Sequence, residues 1–310
     1  MAIAEASQSR LAYVAEVTPG TIPATPSFKT LRLVNENIRL TKQTVVSDEL
    51  RGDGNVTDVI DVGRAVEGPI AGELSYGTFD DFFEALFRST WTTNVLKNGI
   101  AHKTFAIEKT FEQGATDSFI RYRGCRVNTL DLTLEARQIA RVSWGIVGIG
   151  SPTPTNAIIT GATYAAPSTA PVLNAATNVG ALTMTGVTAT PKIRSLNLSI
   201  RSNIYQNDVV GAYEPDSHGL GRFEVSGTMQ AYFENLDLYN AIVAHSDVAL
   251  STTIGAASGS KYTLSLPKLK LMEGSPVIGG NSQAVIMEVP FQAVYDATSA
   301  ATATLTRAVA

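Results

Sequence analysis

The side chains able to do chemistry are few and far apart. Three histidines, His102, His218 and His245, stand alone, with no Cys or carboxylate at metal-ligand spacing. His218 and His245 fall near loops and read as solvent-exposed. A single Cys125 cannot form an intramolecular disulfide; it reads as a small buried hydrophobe near a strand start and fits folding in a reducing cytoplasm. Asp53-Gly-Asn55-Val-Thr57-Asp58 opens like a calcium loop, but Asp58 stands where that loop needs Gly and Arg64 where it needs an acid. Arg51-Gly52-Asp53 is an adhesion triplet short enough to recur by chance. Asn55-Val-Thr57 and Asn197-Leu-Ser199 are glycosylation sequons in form only. Gly219-Leu-Gly221 runs into a strand instead of opening a helix, so it makes no phosphate cradle. No nucleophile elbow is present, and no carboxylate pair lies within an apolar run where burial would raise a pKa. No residue is assigned a catalytic, cofactor-binding or metal-binding role, and no enzyme is expected.

The elements that would position any site are clearer. In 72–87, Leu74 and Tyr76 alternate with polar neighbours like a half-buried strand. After Gly77 the period changes, and Phe79, Phe82, Phe83, Leu86 and Phe87 fall on one helical stripe. Thr78 is placed to cap that helix, with Asp80, Asp81 and Glu84 near its positive end. The stripe predicts core packing against a sheet, not a cofactor box. Residues 227–243 repeat the switch: Met229 and Ala231 in a strand, Asn235 as cap, then Leu236, Tyr239, Ile242 and Val243 on the stripe. The helices keep register from Asp81/Asp237 through Phe83/Tyr239 to Ala85/Ala241.

A strand feeding a short helix, stated twice, predicts two copies of one domain: 1–150 and 191–310, joined by 151–190. A chain of 310 residues has room for two cores. Strands are expected at 28–40, 104–110, 117–133 in two parts, and 138–149, then from 193, at 223–232, 262–271 and 284–295. Strands outnumber helices, so the fold class is mainly β: two tandem antiparallel β-sandwich or barrel domains, each with one short flanking α-helix. Residues 10–26 read as an extended arm broken by turns, and 297–310 as a mobile or interfacial tail. The connection 41–67, with Asp48, Glu49, Asp53, Asp58, Asp61 and Glu67 against Lys42, Arg51 and Arg64, is long enough to be functional or interfacial. Between Arg141 and Lys192 no residue is charged; this Ser/Thr/Pro/Ala/Gly-rich stretch reads as a linker carrying a docked hairpin over 172–187.

Only 17% of residues are charged against 44% hydrophobic, which suggests surface buried against other subunits. No run is long and apolar enough for a membrane helix, and no membrane partner is expected. The first ten residues lack the pattern of a secretory signal. A net charge of −4 argues against gripping nucleic acid through its phosphates. Open edges on such sheets aggregate unless paired, and pairing between subunits around an axis closes a ring.

The opening Arg10-Leu-Ala-Tyr-Val-x-Glu-x-Thr-Pro-Gly-Thr-x-Pro with Phe28-x-x-Leu-Arg resembles that of bacteriophage tail tube proteins of long, non-contractile tails. So do Ser47-Asp-Glu-Leu-Arg-Gly-Asp, Val66-Glu-Gly and Gly72-Glu-Leu-Ser-Tyr-Gly-Thr-Phe-Asp-Asp. The resemblance covers about residues 10–90, continues more weakly through Ile149, and reaches the second half through the internal repeat. It implies two packed sheets plus a helix, and rings stacked into a hollow tube through which DNA leaves without specific binding. It also implies inter-ring contact through 41–67 (Asp48, Glu49, Arg51, Asp53, Asp58, Asp61, Arg64), and tape measure, tail terminator and distal tail proteins as partners. Family rings are often six one-domain subunits; two domains per chain imply three chains with pseudo-six-fold symmetry. The lumen is expected to be acidic or neutral, in a virion tail assembled in the host cytoplasm. A decoration or adhesion module on a particle surface, or a secretion-system tube protein, is the alternative reading.

Overall fold

The computed structural model describes residues 3–114, 116–180, 182–255 and 257–308. The first half holds β1 (Ser9–Ala15), β2 (Ser27–Thr30), β3 (Asn35–Glu36), β4 (Arg39–Val46), β5 (Val59–Glu73), α1 (Asp80–Phe87), β6 (Val95–Lys97), β7 (Phe105–Phe111), β8 (Ser118–Glu135) and β9 (Arg141–Gly148). Two short strands follow, β10 (Thr163–Ala165) and β11 (Thr183–Thr185). The second half holds β12 (Ile193–Arg201), β13 (Tyr205–Asn207), β14 (Ser217–Gly219), β15 (Glu224–Tyr232), α2 (Asp237–Val243), β16 (Asp247–Ile254), β17 (Tyr262–Leu271), β18 (Pro276–Val277), β19 (Ile286–Ala293) and β20 (Thr304–Arg307). The fold is mainly β.

Both halves use one order of strand pairing. In the first it runs β4–β5–β9–β8–β7–β1; in the second, β12–β15–β19–β17–β16–β11. Each helix follows the second strand of its series. Period-two patterning explains the strands: Leu130, Leu132 and Leu134 are buried while Asp131, Thr133 and Glu135 are exposed. The halves are joined by a ladder, because β12 pairs along residues 129–135 of β8. β8 is long enough to serve β7 with its first part and β12 with its second.

Several expectations are revised. The 28–40 strand is broken, since β2 pairs with β1 whereas Val34 and Asn35 cross to Ala71 on β5. The N-terminal arm is partly a sheet strand, β1 lying antiparallel to β7. Among the described residues of 172–187 no hairpin is seen: Val172 bridges Ser75, whereas 183–185 pairs with β16. The tail includes β20, which lies between β17 and β6 and so ties the halves together a second time.

The first helix buries Phe79, Phe82, Phe83, Leu86 and Phe87. Phe82 meets Tyr13 edge-on at 5.1 Å and Trp144 at 5.6 Å between centroids. Thr78 does not cap this helix; its hydroxyl meets that of Ser75 at 2.5 Å, and the N-cap position is Phe79. In α2 the Asn235 carboxamide oxygen accepts the Asp237 N–H at 2.9 Å. There the inward stripe differs from expectation. Leu238 and Ala241 are buried and Ile242 is half-buried, whereas Leu236, Tyr239 and Val243 are exposed. The cause is the setting of each helix. α1 lies between its own sheet and the second half, so a broad arc of Phe82, Phe83, Ala85, Leu86 and Phe87 is buried and Asp80, Asp81 and Glu84 share the remaining side, while α2 has the second-half sheet on its inner side and leaves its other side exposed.

Candidate functional site

The continuous sheet has one apolar and one polar face. Opposite residues form rows across β5, β9, β8, β12, β15 and β19. One row is Ala71, Ser143, Asp131, Ser199, Ser226 and Gln292. The next is Glu73, Arg141, Thr133, Asn197, Thr228 and Pro290. A shorter row is Glu135, Ser195, Gln230 and Glu288. These hydroxyls, amides and carboxylates point away from a core that includes Trp144, Leu198, Met229 and Phe291. Ser199 donates to Asp131 at 2.7 Å across the junction between the halves. The face carries Glu67, Glu73, Asp131, Glu135, Glu224 and Glu288 against Arg141, Arg201, Arg222, which pairs with Glu224, and, at its edge, Arg39. At its far side Lys268 and Lys270 both face Asp247, at 2.8 and 2.7 Å. Within the three rows acid outweighs base, Glu73, Asp131, Glu135 and Glu288 standing against Arg141, and among the described residues these rows offer no basic track for a phosphate backbone.

A hairpin projects from each half. β4 and β5 pair from Arg39/Glu67 to Val46/Val59, and residues 47–58 form the tip. Its charges largely answer one another. Arg51 grips Asp53 at 3.0 Å, Asp53 also accepts the Asn55 N–H, and these bonds hold its carboxyl down at about 2. Asp58 accepts the Val59 N–H at 2.7 Å. Asp61 and Arg64 lie on β5 instead of in the tip and pair with each other at 2.8 Å. Asp48 and Glu49 are exposed. The hairpin also exposes Val45, Val46, Leu50, Val56, Val59, Ile60 and Val62, an apolar surface that a reading centred on charges overlooks. Its signal in the sequence is the clustering of Val and Ile without alternation. The second-half hairpin, β13 and β14, exposes Tyr205, Val209, Val210 and Tyr213. It touches the base of the first: the Arg64 N–H donates to the Tyr213 carbonyl at 2.6 Å, with the Arg64 guanidinium 5.2 Å from the Tyr213 ring.

The joint between the halves is built around α1. Phe83 meets Tyr262 at 5.6 Å and Phe87 meets Phe223 at 5.7 Å. The Tyr262 hydroxyl donates to Asp80 and accepts the Gly77 N–H at 2.8 Å; Arg307 pairs with Asp80 at 2.6 Å. Arg88, buried and left-handed at φ 57°, ends the helix. Its guanidinium donates to the Ser202 hydroxyl at 3.2 Å, the Gly221 carbonyl at 2.8 Å, and the Ser202 carbonyl. Nothing in the Arg88 sequence context announces this clamp; its partners are more than a hundred residues away.

Of the chemically suggestive residues, His102 and His218 both lie near Arg126, whereas His245 lies beyond α2. His218 on β14 is buried, contrary to the exposed reading, because its hairpin packs toward Arg126; burial and that cation push its pKa down to about 4. His102 contacts the Arg126 guanidinium at 2.6 Å, and His245 is exposed just beyond α2. Cys125 is buried, which pushes its thiol well up. Among the described residues no group of three or more His, Cys, Asp or Glu is placed to hold a metal ion, and no helix is long and apolar enough to cross a membrane. A family model described as phage tail tube protein matches residues 6–293 of the chain. No protein of curated function matches it.

Proposed function

The chain belongs to the phage tail tube protein family, which makes it a structural component of the virion tail, and we propose that it assembles into stacked rings enclosing the channel for DNA ejection. The halves act as two copies of one domain, 1–150 and 191–310, with 151–190 as a docked connector. Three chains then supply six similar wall segments with pseudo-six-fold symmetry. The observation that carries this reading is the β8–β12 ladder, which joins two equivalent sheets edge to edge into one wall with a single polar face. The polar rows line the lumen. Their excess of carboxylates suits transit without retention, since a basic wall would hold the polymer by counterion release.

The 39–67 hairpin, including Asp48, Glu49, Arg51, Asp53, Asp58, Asp61 and Arg64, reaches the adjacent ring. Its apolar residues supply the contact area and its charges set orientation. Tape measure, tail terminator and distal tail proteins are the expected partners, and assembly takes place in the host cytoplasm. Electron microscopy of the concentrated purified protein tests the reading. Annular particles with a central hole, stacking into tubes, are expected; isolated globules at every concentration would overturn it.

A further inference from the structure

We infer that the joint between successive chains reproduces the joint inside the chain, with the 33–39 edge and hairpin base of one copy receiving the exposed side of α2 and the 271–277 edge of the next. This rests on the ring reading above and specifies how the ring is held. The repeat supplies the correspondence. Asp81 and Asp237 start the match of the helices, so Phe83 corresponds to Tyr239 and Phe87 to Val243. Phe83 and Phe87 are 7% and 0% exposed, and Tyr262 and Phe223 of the second half cover them. Tyr239 and Val243 are 38% and 70% exposed, with Leu236 at 59% beside them. The apolar surface is present twice, and only the first copy has its cover within the chain.

The receiving edge shows the same imbalance. Arg32 and Arg39 bracket 33–38 as Arg194 and Arg201 bracket 195–200. Asn35 faces Ala71, which faces Ser143; the corresponding row is Asn197, Thr228 and Pro290. Within that register Leu196, under the β8 ladder, is 3% exposed, whereas its counterpart Val34 is 63% exposed. Beside Val34 runs an open groove of about 430 Å³, lined by residues including Arg10, Leu11, Glu36, Lys109 and Phe111. On the giving side, Leu271 pairs with Phe291 as Leu130 pairs with Trp144, so 271–277 corresponds to the stretch of β8 that pairs with β12. Met272 and Val277 of that stretch are exposed. One copy carries an uncovered giver and an uncovered receiver, so the contact is head-to-tail, and the occupant of each is a second copy of this chain.

The test uses Tyr239→Lys/Val243→Lys, which alters only the α2 side, and Val34→Lys, which alters only the edge. These positions are exposed, so circular dichroism and melting should match the unaltered protein. Each variant alone should fail to close rings, with the assembly concentration raised at least about tenfold, as expected when apolar contacts are exchanged for a charge. Mixed together, they retain one intact giver and one intact receiver. Mass photometry should then show a dimer of twice the 32.9 kDa chain that grows no further. Rings from the α2 variant at the unaltered concentration, or a mixture that stays monomeric, would overturn this joint while leaving the ring reading standing. Failure of the unaltered chain to form rings would overturn the reading on which the joint rests.

Discussion

Replacing Arg88 should loosen the chain where its halves meet, by an amount the geometry allows one to estimate. Its side chain donates three hydrogen bonds across the joint, two of them to carbonyls of Ser202 and Gly221. Charge-assisted bonds contribute about 1.5–3 kcal/mol each, but part of that offsets the cost of burying the guanidinium. A net loss of about 3 kcal/mol is expected for Arg88→Ala. If both halves melt as one unit, about 2.1 cal/mol/K per residue over the chain converts this to a drop of about 5 °C. If the first half melts alone, the drop is about 9 °C. Arg88→Gly separates side chain from backbone. The left-handed φ of 57° costs a non-glycine residue about 1 kcal/mol, so the glycine variant should melt about 1–3 °C above the alanine one. Trp91 and Trp144, the two tryptophans, both lie in the first half. Tryptophan fluorescence therefore follows that half, while circular dichroism follows both, and coincident transitions would identify one cooperative unit. An alanine variant melting within about 1 °C of the unaltered protein would refute this account of the joint.

Gly68→Ala should destabilise by more than about 3 kcal/mol, because at φ 150° its Cβ would run into the Asn37 carbonyl; a soluble variant with unchanged melting would contradict this. The Asp81 carboxyl, which burial alone would raise, is held at about 2 by Lys29 and Lys103. A depressed carboxylate stabilises above its unfolded value of 3.8, and the contribution is lost as pH falls toward 2. Asp81→Asn should therefore be less stable than the unaltered protein by up to about 2 kcal/mol near neutrality, with the difference vanishing near pH 2 in denaturant titrations. Deleting 48–61 should leave a folded chain that cannot stack, and electron micrographs showing normal tubes would remove the hairpin from the inter-ring role. Asp131→Lys with Glu288→Lys should leave assembly intact and slow DNA ejection from particles carrying it; an unchanged ejection rate would argue against the polar rows lining the channel.

Much of this fold is legible in the sequence because its signals are local. The change of period at Gly77, the phenylalanine stripe and the alternation in 262–271 each depend on neighbours within a few residues. What the sequence hides depends on partners distant along the chain. β8 reads as two strands, yet it is one strand serving two neighbours in succession. Leu236, Tyr239 and Val243 share a helical spacing as good as that of Leu238, Ala241 and Ile242; which set turns inward depends on what lies beside the helix. His218 sits in a loop-like context and is buried by a surface from the other half of the chain. Charged residues at 48–64 attract attention, although several are spent on one another, while the valines and isoleucines between them carry the exposed apolar area.

The two projecting hairpins are unequal: 39–67 is a long two-stranded ribbon, whereas 202–221 is short and folded back on its neighbour's base. In a ring of three such chains, long and short fingers alternate around the rim like a keyed coupling. On the assembly proposed above, adjacent discs would then seat only at every second position, and the screw symmetry of such a tube would be indexed in thirds of a turn although its wall would be sixfold in outline.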